Sequence, residues 1–389
     1  MPVINRFADL LPEITEWRRD IHTHPELQFD VHRTAGIVAT KLREFGADEV
    51  VEGIGRTGVV GIIKGKNASD HVIGLRADMD ALPIIEATGV PHASTTPGKM
   101  HACGHDGHTA MLLGAAKYLC ETRNFAGSVA VIFQPAEEGG GGGNEMVKDG
   151  MMERFGIEQV FGMHNMPGLG IGEFAIRPGP IMAAADLFTV EIKGRGGHAA
   201  MPHATVDPTI AASHITLALQ SIVSRNVDPL QSAVISVTSF RTDTDTFNVI
   251  PQSVTLKGTV RSLSTEVRDL LEKRMAEVIE NTASAMGATA SFVYDRNYPV
   301  SVNSDAQTEF AISVAQSVAG QSKVEANTPA VMGAEDFSFM LNARPGAFIF
   351  TGNGDTASLH HPKYDFNDDA IPHGCSYWVQ LVEQAMPAA

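Results

Sequence analysis

The stretch Ser128–Gly143, SVAVIFQPAEEGGGGG, runs from an apolar strand-like segment into two adjacent glutamates and five consecutive glycines. Three runs of similar make-up accompany it: GVVGIIKG at 58–65, HVIGLRAD at 71–78 and QVFGMHN at 159–165. Helical patterns, HTAMLLGAAKYLCETR at 108–123 and NEMVKDGMMERF at 144–155, separate the last three of these four runs. Strand alternating with helix predicts an α/β fold, a doubly wound and mainly parallel sheet with helices on its faces. Such a sheet collects ligands beyond the carboxyl ends of its strands, which is where Glu137 and Glu138 fall.

Outward from this core, Phe7, Leu10, Leu11, Ile14, Trp17 and Ile21 recur at three- and four-residue steps and predict a first helix. A second is expected over 34–45, stopped by Gly46. The order changes after residue 181. Strands DLFTVEIKG, SAVISVTSF, SVTLKGTVRSL and ATASFVYD and helices over about 207–225 and 265–286 follow as strand, helix, strand, strand, helix, strand. That is the ferredoxin-like α+β order, which can close a core of its own. It predicts an inserted domain at 182–295 inside a catalytic domain made of 1–181 and 296–389. The doubly wound pattern then resumes with a helix over 305–318, the strand GAFIFTG and a last helix over 369–386.

A formal net charge of −16, from 45 acidic and 29 basic residues, argues against a nucleic-acid partner, which would want a basic face. The three cysteines, Cys103, Cys120 and Cys375, are too few and too odd for a disulfide framework and suit a reducing compartment. The N-terminal stretch reads as an amphipathic helix and not as a signal peptide, and no apolar run is long enough to span a membrane. Cytoplasmic placement and no membrane partner are the expectations. Cys120 and Cys375 lie in helical patterns and are read as core thiols.

The residues that carry chemistry come in four fragments. MHACGHDGH, residues 100–108, packs His101, Cys103, His105, Asp106 and His108 into nine positions, with glycines that allow sharp turns. Cys and His separated by one residue can converge on a cation. QPAEEGG offers Glu137 and Glu138, FGMHN ends a strand at His164, and SLHHPKYD offers His360 and His361. Loops collect such residues singly. Four pieces at one end of one sheet point instead to a metal centre. The glycine run is no phosphate loop, since no Gly-Lys-Ser/Thr follows it.

The set RADMDALP, HACGHDGH, QPAEEGGGG, GMHN, GRGGHAAMPH, FNVIP, GAEDFS and LHHP resembles the dinuclear-metal amidohydrolases of the aminoacylase and carboxypeptidase group, and within it the hippurate and auxin-conjugate hydrolases. The resemblance runs nearly end to end. It implies a metal-binding catalytic domain interrupted by a smaller lid domain that dimerises, hence a homodimer or homotetramer. It implies two divalent metal ions held by Cys103, His105, Glu138, His164 and His361, with His360 and His108 as supporting residues. A thiolate can bridge two cations and a neutral imidazole, with one free lone pair, cannot, so Cys103 is the bridging candidate. Mixed N, O and S donors suit zinc, with manganese, cobalt or nickel as alternatives.

The resemblance further implies that Glu137 is the general base toward a water activated by the metals. Neighbouring side chains at a strand end point in different directions, which lets Glu138 ligate while Glu137 faces the water. Asp78 is implied to hold a ligand histidine. His198 is implied to steady the oxyanion at the scissile carbonyl, within its own chain or from the partner subunit of a dimer. Asn248 and Arg261 are implied to grip the substrate carboxylate, for which the Arg fork is suited. Glu335 matches a family motif without an implied role.

The function expected is therefore metal-dependent cleavage of small N-acyl amino acids of the hippurate or N-acetyl type. A metallo-dipeptidase or carboxypeptidase, or an N-acetyl-diaminopimelate deacetylase, is the alternative. More remote is a non-enzymatic two-domain binding protein. Phosphohydrolysis, suggested by the His105–Asp106 pair, belongs to mainly helical proteins and conflicts with the strand pattern.

Overall fold

Phe7, Leu10, Ile14, Trp17 and Ile21 line the buried face of the helix Arg6–Thr23, where the periodicity puts them. The next helix is His32–Phe45 and closes on Gly46 in the left-handed conformation. It begins two residues before the expected start. The Glu26 carboxylate accepts from Arg33 N at 2.9 Å and Thr34 N at 2.8 Å, satisfying amides that open the helix.

The computed structural model describes residues 3–388 and divides them into two compact units. The first unit comprises the chain up to Ile181, Val302–Pro329 and the chain from Asp336 onward. Its eight-stranded sheet has the order Glu49–Ile54, Gly58–Lys64, Ala126–Gln134, Asn67–Asp78, Gln159–Met166, Gly346–Gly352, Phe174–Ala175, Val324–Glu325. The four central strands are mutually parallel; Gly58–Lys64 and Phe174–Ala175 pair antiparallel with them on the two sides, and of the outermost strands Glu49–Ile54 pairs antiparallel and Val324–Glu325 parallel with its neighbour. Asp78, Gln134 and Met166 therefore end neighbouring strands on one side of the sheet. The helix expected over 144–155 is two helices, Gly142–Lys148 and Met151–Arg154, because Gly150 between them takes a φ of 76°.

The helix His105–Thr122 packs against the first two helices and the last helix, Ile371–Ala385, and most of its residues are buried. Its middle, Ala110–Ala116, is apolar on every side, as the interior part of a helix must be, while its first turn brings the buried polar residues His105, Asp106 and His108. Gly107 permits the packing: a Cβ there would lie 2.3 Å from the Phe366 ring. Gly107→Ala is expected to cost about 1–3 kcal/mol by overpacking. Thermal unfolding reads this directly, and an unchanged midpoint would show that Phe366 can step aside.

The second unit is Met182–Ser301 with Ala330–Glu335. Four antiparallel strands lie in the order Ala233–Thr242, Ser253–Ser262, Ala184–Lys193, Thr289–Tyr298, covered by the helices Pro208–Arg225 and Thr265–Ala285. Asp207 and Ser264 cap those helices through their side chains, accepting from Thr209 N and Val267 N. The last strand does not stop at 295. Arg296 and Tyr298 still pair with Asp186 and Ala185 across a bulge, so the unit runs on to Ser301. Its core joins Phe188, Val190 and Ile192 of the sheet to Ile215, Leu219, Leu271 and Met275 of the helices. No helix among the described residues is long and apolar enough to cross a membrane.

Candidate metal centre

The loop ending at Gly104 turns sharply into the buried helix that begins at His105. Gly104 has a φ of 88°, and a Cβ on it would meet the Asn165 amide at 2.3 Å and the Tyr364 hydroxyl at 2.4 Å. Only glycine fits. The turn brings Cys103 Sγ to 3.4 Å from His164 Nε2. His164 Nδ1 donates to the Asn165 carbonyl at 2.7 Å, so the lone pair sits on Nε2, the atom that faces the sulfur. Burial, His108 and His105 together hold the His164 pKa well below the usual value, keeping the ring neutral.

His105 is fully buried, yet neither ring nitrogen has a hydrogen-bond partner. Its Nε2 lies 3.6 Å from Asp78 Oδ2 and 4.0 Å from Glu138 Oε1, and its Nδ1 lies 3.6 Å from Asp80 Oδ1. Burial works against a charge here, but these carboxylates pull the His105 pKa up to about 10. Glu138 Oε1 is likewise buried without a hydrogen bond, although His360 Nε2 stands 3.2 Å away. Burial and the carboxylates of Glu138, Glu137 and Asp78 push the Cys103 thiol well above its usual range. Polar atoms left unpaired in a buried site, among several anions, have the character of a site built for cations.

Two groups of ligand atoms, each within 4.8 Å of one another, meet at Cys103: Cys103–His105–His164 and Cys103–Glu138–His360. His105, Glu137 and Glu138 form a further such group. Sulfur, imidazole and carboxylate donors of this kind fit divalent transition metals, and one thiolate common to two groups fits a bridged pair.

His361, expected as a ligand, is not brought to this cluster. It is exposed, and its Nδ1 accepts from Lys363 N at 3.1 Å. His360 takes the place instead. Its φ of 62° turns the chain, and its N–H donates to the Ala102 carbonyl at 2.7 Å, next to Cys103.

Asp78 is also placed differently from expectation. Its short contact, 2.7 Å, is to His108 Nδ1, not to a histidine of the cluster. His108 Nε2 accepts from Asn165 N at 2.9 Å, so both nitrogens of His108 are engaged and neither is open to a metal. Against the cost of burial, His105, Arg76 and His108 hold the Asp78 carboxyl well below its ordinary value. Arg76, buried beside it, donates to Asp78 at 2.8 Å, Gln134 at 2.9 Å and Asp336 at 3.1 Å. Asp336 in turn accepts from Gly143 N at 2.8 Å, which ties down the end of the glycine run. Asp106 faces away from the cluster, accepting from His22 Nδ1 at 2.8 Å with Arg18 at 3.4 Å.

The Glu137–Glu138 turn is held through its backbone. Asp80 Oδ1 accepts from Glu137 N at 2.9 Å and Asp80 Oδ2 from Glu138 N at 3.1 Å. Ala136 before them has a φ of 54°, a conformation unusual for a residue with a Cβ. Sequence reasoning gave Asp80 and Arg76 no definite role. Their signals were charge at a strand end and membership of the motif RADMDALP, and neither says which amides a carboxylate will meet.

In the second unit, His198 and Asn248 are neighbours. Gly197–His198 pairs with Val249–Ile250, and Ala199 N donates to the Asn248 carbonyl at 3.0 Å. His198 Nδ1 accepts from Ala200 N at 3.1 Å, which leaves the ring proton on the exposed Nε2. Arg261 lies on the strand Ser253–Ser262 and donates to the Val260 carbonyl at 3.1 Å. No hydrogen bond among the described residues joins it to His198 or Asn248.

A family model described as Peptidase family M20/M25/M40 matches residues 74–384. Hippurate hydrolase of Campylobacter jejuni subsp. jejuni is 44% identical over 381 residues, covering 98% of each chain. N-acetyl-L-cysteine deacetylase of Bacillus subtilis is 41% identical over 356 residues, covering 91% of this chain and 83% of the relative. Among solved structures, the Bacillus subtilis YXEP protein, a dinuclear metal binding peptidase from the M20 family, superposes with a TM-score of 0.85 at 33% identity. That match covers 97% of this chain and 99% of the other.

Proposed function

This chain belongs to peptidase family M20/M25/M40, and from that premise we propose that it is a metal-dependent amidohydrolase of N-acyl amino acids, releasing a carboxylate and a free amino acid. Relatives named for hippurate and for N-acetylcysteine support an acyl amino acid as the substrate class. The observation that carries the reading is Cys103 standing in both groups of metal-ligating atoms.

Cys103, His105, Glu138, His164 and His360 would hold two divalent cations. Zinc is the metal we assign, because a thiolate and imidazoles accompany the carboxylate. When bound, the metals supply Lewis acidity toward the scissile carbonyl and toward water. Glu137 takes a proton from the water as the water oxygen bonds to the carbonyl carbon, and then hands that proton to the amide nitrogen as the C–N bond breaks and the carbonyl re-forms. His198 donates its Nε2–H to the carbonyl oxygen as charge develops there. Asn248 and Arg261 bind the substrate carboxylate. Asp78 and Asp80 act at one remove, the first through His108 and the second through the backbone of the Glu137–Glu138 turn.

Chelator-stripped protein is expected to lose cleavage of hippurate and N-acetyl amino acids, and zinc is expected to restore it. Undiminished cleavage by protein shown by elemental analysis to be metal-free would overturn the reading. We also assign a homodimer or homotetramer formed through the second unit, which carries Leu187, Leu217 and Val293 exposed. A cytoplasmic location suits the free thiols of Cys103, Cys120 and Cys375.

A further inference from the structure

Arg18, on the first helix, is fully buried, and its guanidinium joins two parts of the first unit that carry proposed metal ligands. Nε donates to Asp368 Oδ1 at 2.8 Å, and Nη1 lies 3.4 Å from Asp106 Oδ2 and 3.5 Å from Asp365 Oδ1. Nη2 meets His92 Nε2 at 3.3 Å. Asp106 directly follows His105 in the first turn of the buried helix. Asp365 and Asp368 follow His360 on the way to the last helix.

The two sides are not equally fixed without Arg18. His105 opens a helix, His164 lies in a sheet strand, and Asp106 has a second buried partner in His22 at 2.8 Å. His360 comes instead from residues 353–367, which contain neither helix nor strand. That segment is placed by single hydrogen bonds, from His360 N to Ala102 O and from the Tyr364 hydroxyl to Asn165 Oδ1 at 2.8 Å, and by its carboxylates on Arg18. The other cation on Asp368 is Arg19, half exposed, at 2.8 Å. A pair that open to water contributes at most about 1 kcal/mol, whereas a buried guanidinium is costly to part from its carboxylates.

We propose that Arg18 is the positioning residue for one of the two cations, the one held by Cys103, Glu138 and His360. By gripping Asp106 and Asp368 at once, it sets the helix that presents His105 against the loop that presents His360. This rests on the reading that the Cys103–Glu138–His360 group holds a metal. Arginine suits the task because its rigid fork holds several acceptors at fixed angles. Lysine brings the same charge as a single point and cannot span both segments.

The test titrates metal-free full chain with zinc by calorimetry, wild type against Arg18→Lys and Asp368→Asn, with thermal unfolding of each apo-protein as the check on folding. Arg18→Lys keeps a positive charge among the carboxylates, and Asp368→Asn neutralises a side chain that is 16% exposed. In both variants one zinc ion is expected to bind as in the wild type and the other about tenfold or more weakly, the pattern of His360→Ala. A role confined to stability would not separate the two ions. Two zinc ions bound as tightly as in the wild type, or both weakened alike, would overturn the proposal. An Arg18→Lys chain that does not fold, beside an Asp368→Asn chain that folds and binds both ions normally, would overturn it too. The readout is zinc and not turnover, so failure of the substrate reading leaves it unmoved. A wild-type chain that takes up fewer than two zinc ions strikes at the dinuclear reading itself, and this inference falls with it.

Discussion

Glu137→Gln is expected to leave the protein folded and loaded with metal while kcat on hippurate or an N-acetyl amino acid falls by about 10²–10⁴-fold. Glutamine keeps the shape of glutamate but cannot accept the proton. The turn has little reason to move, because it is held by its backbone amides on Asp80 at 2.9 and 3.1 Å and not by the Glu137 side chain alone. KM should change far less than kcat, since the proton transfer belongs to the transition state. Glu138→Gln should behave differently. It weakens a carboxylate whose Oε1 is buried without a hydrogen bond among the proposed ligands, so metal content should fall together with activity. Metal analysis beside single-substrate kinetics separates the two glutamates. A Glu137→Gln protein turning over at the wild-type rate would remove Glu137 from the role of base.

His360→Ala should lose most of its activity and bind metal at least about ten- to a hundredfold more weakly, while His361→Ala should retain both. The two histidines are adjacent, but only His360 Nε2 comes within 3.2 Å of Glu138 Oε1. His361 instead accepts from the backbone N–H of Lys363 at 3.1 Å. Titration of each apo-variant with zinc, read by calorimetry, decides the matter. A normal zinc isotherm for His360→Ala with a weakened one for His361→Ala would reverse the assignment.

Much of the architecture was legible in the sequence for a local reason. The runs at 71–78, 128–134 and 159–165 are apolar over strand length, and a chain with helices between such runs has few ways to bury them other than a parallel sheet. The inserted unit showed itself in the same way, through a complete strand–helix–strand–strand–helix–strand order that buries its own core. The kinds of donor at the site were legible too, because Cys103, His105, Glu138 and His164 stand at or beside predicted strand and helix ends.

Tertiary structure decided which atoms of those donors face one another. His360 rather than His361 meets Glu138 because of a φ of 62° and a hydrogen bond from His360 N to Ala102 O, a residue far away in the chain. Asp78 holds His108 because Asn165, from the neighbouring strand, occupies the other nitrogen of that ring. Asp80 clamps the Glu137–Glu138 turn because the two segments converge at one end of the sheet. Side-chain type and hydrophobic period are properties of a residue and its near neighbours and can be read along the chain. Loop dihedrals, ring tautomers and hydrogen bonds across tens of residues exist only once the strands have been packed side by side.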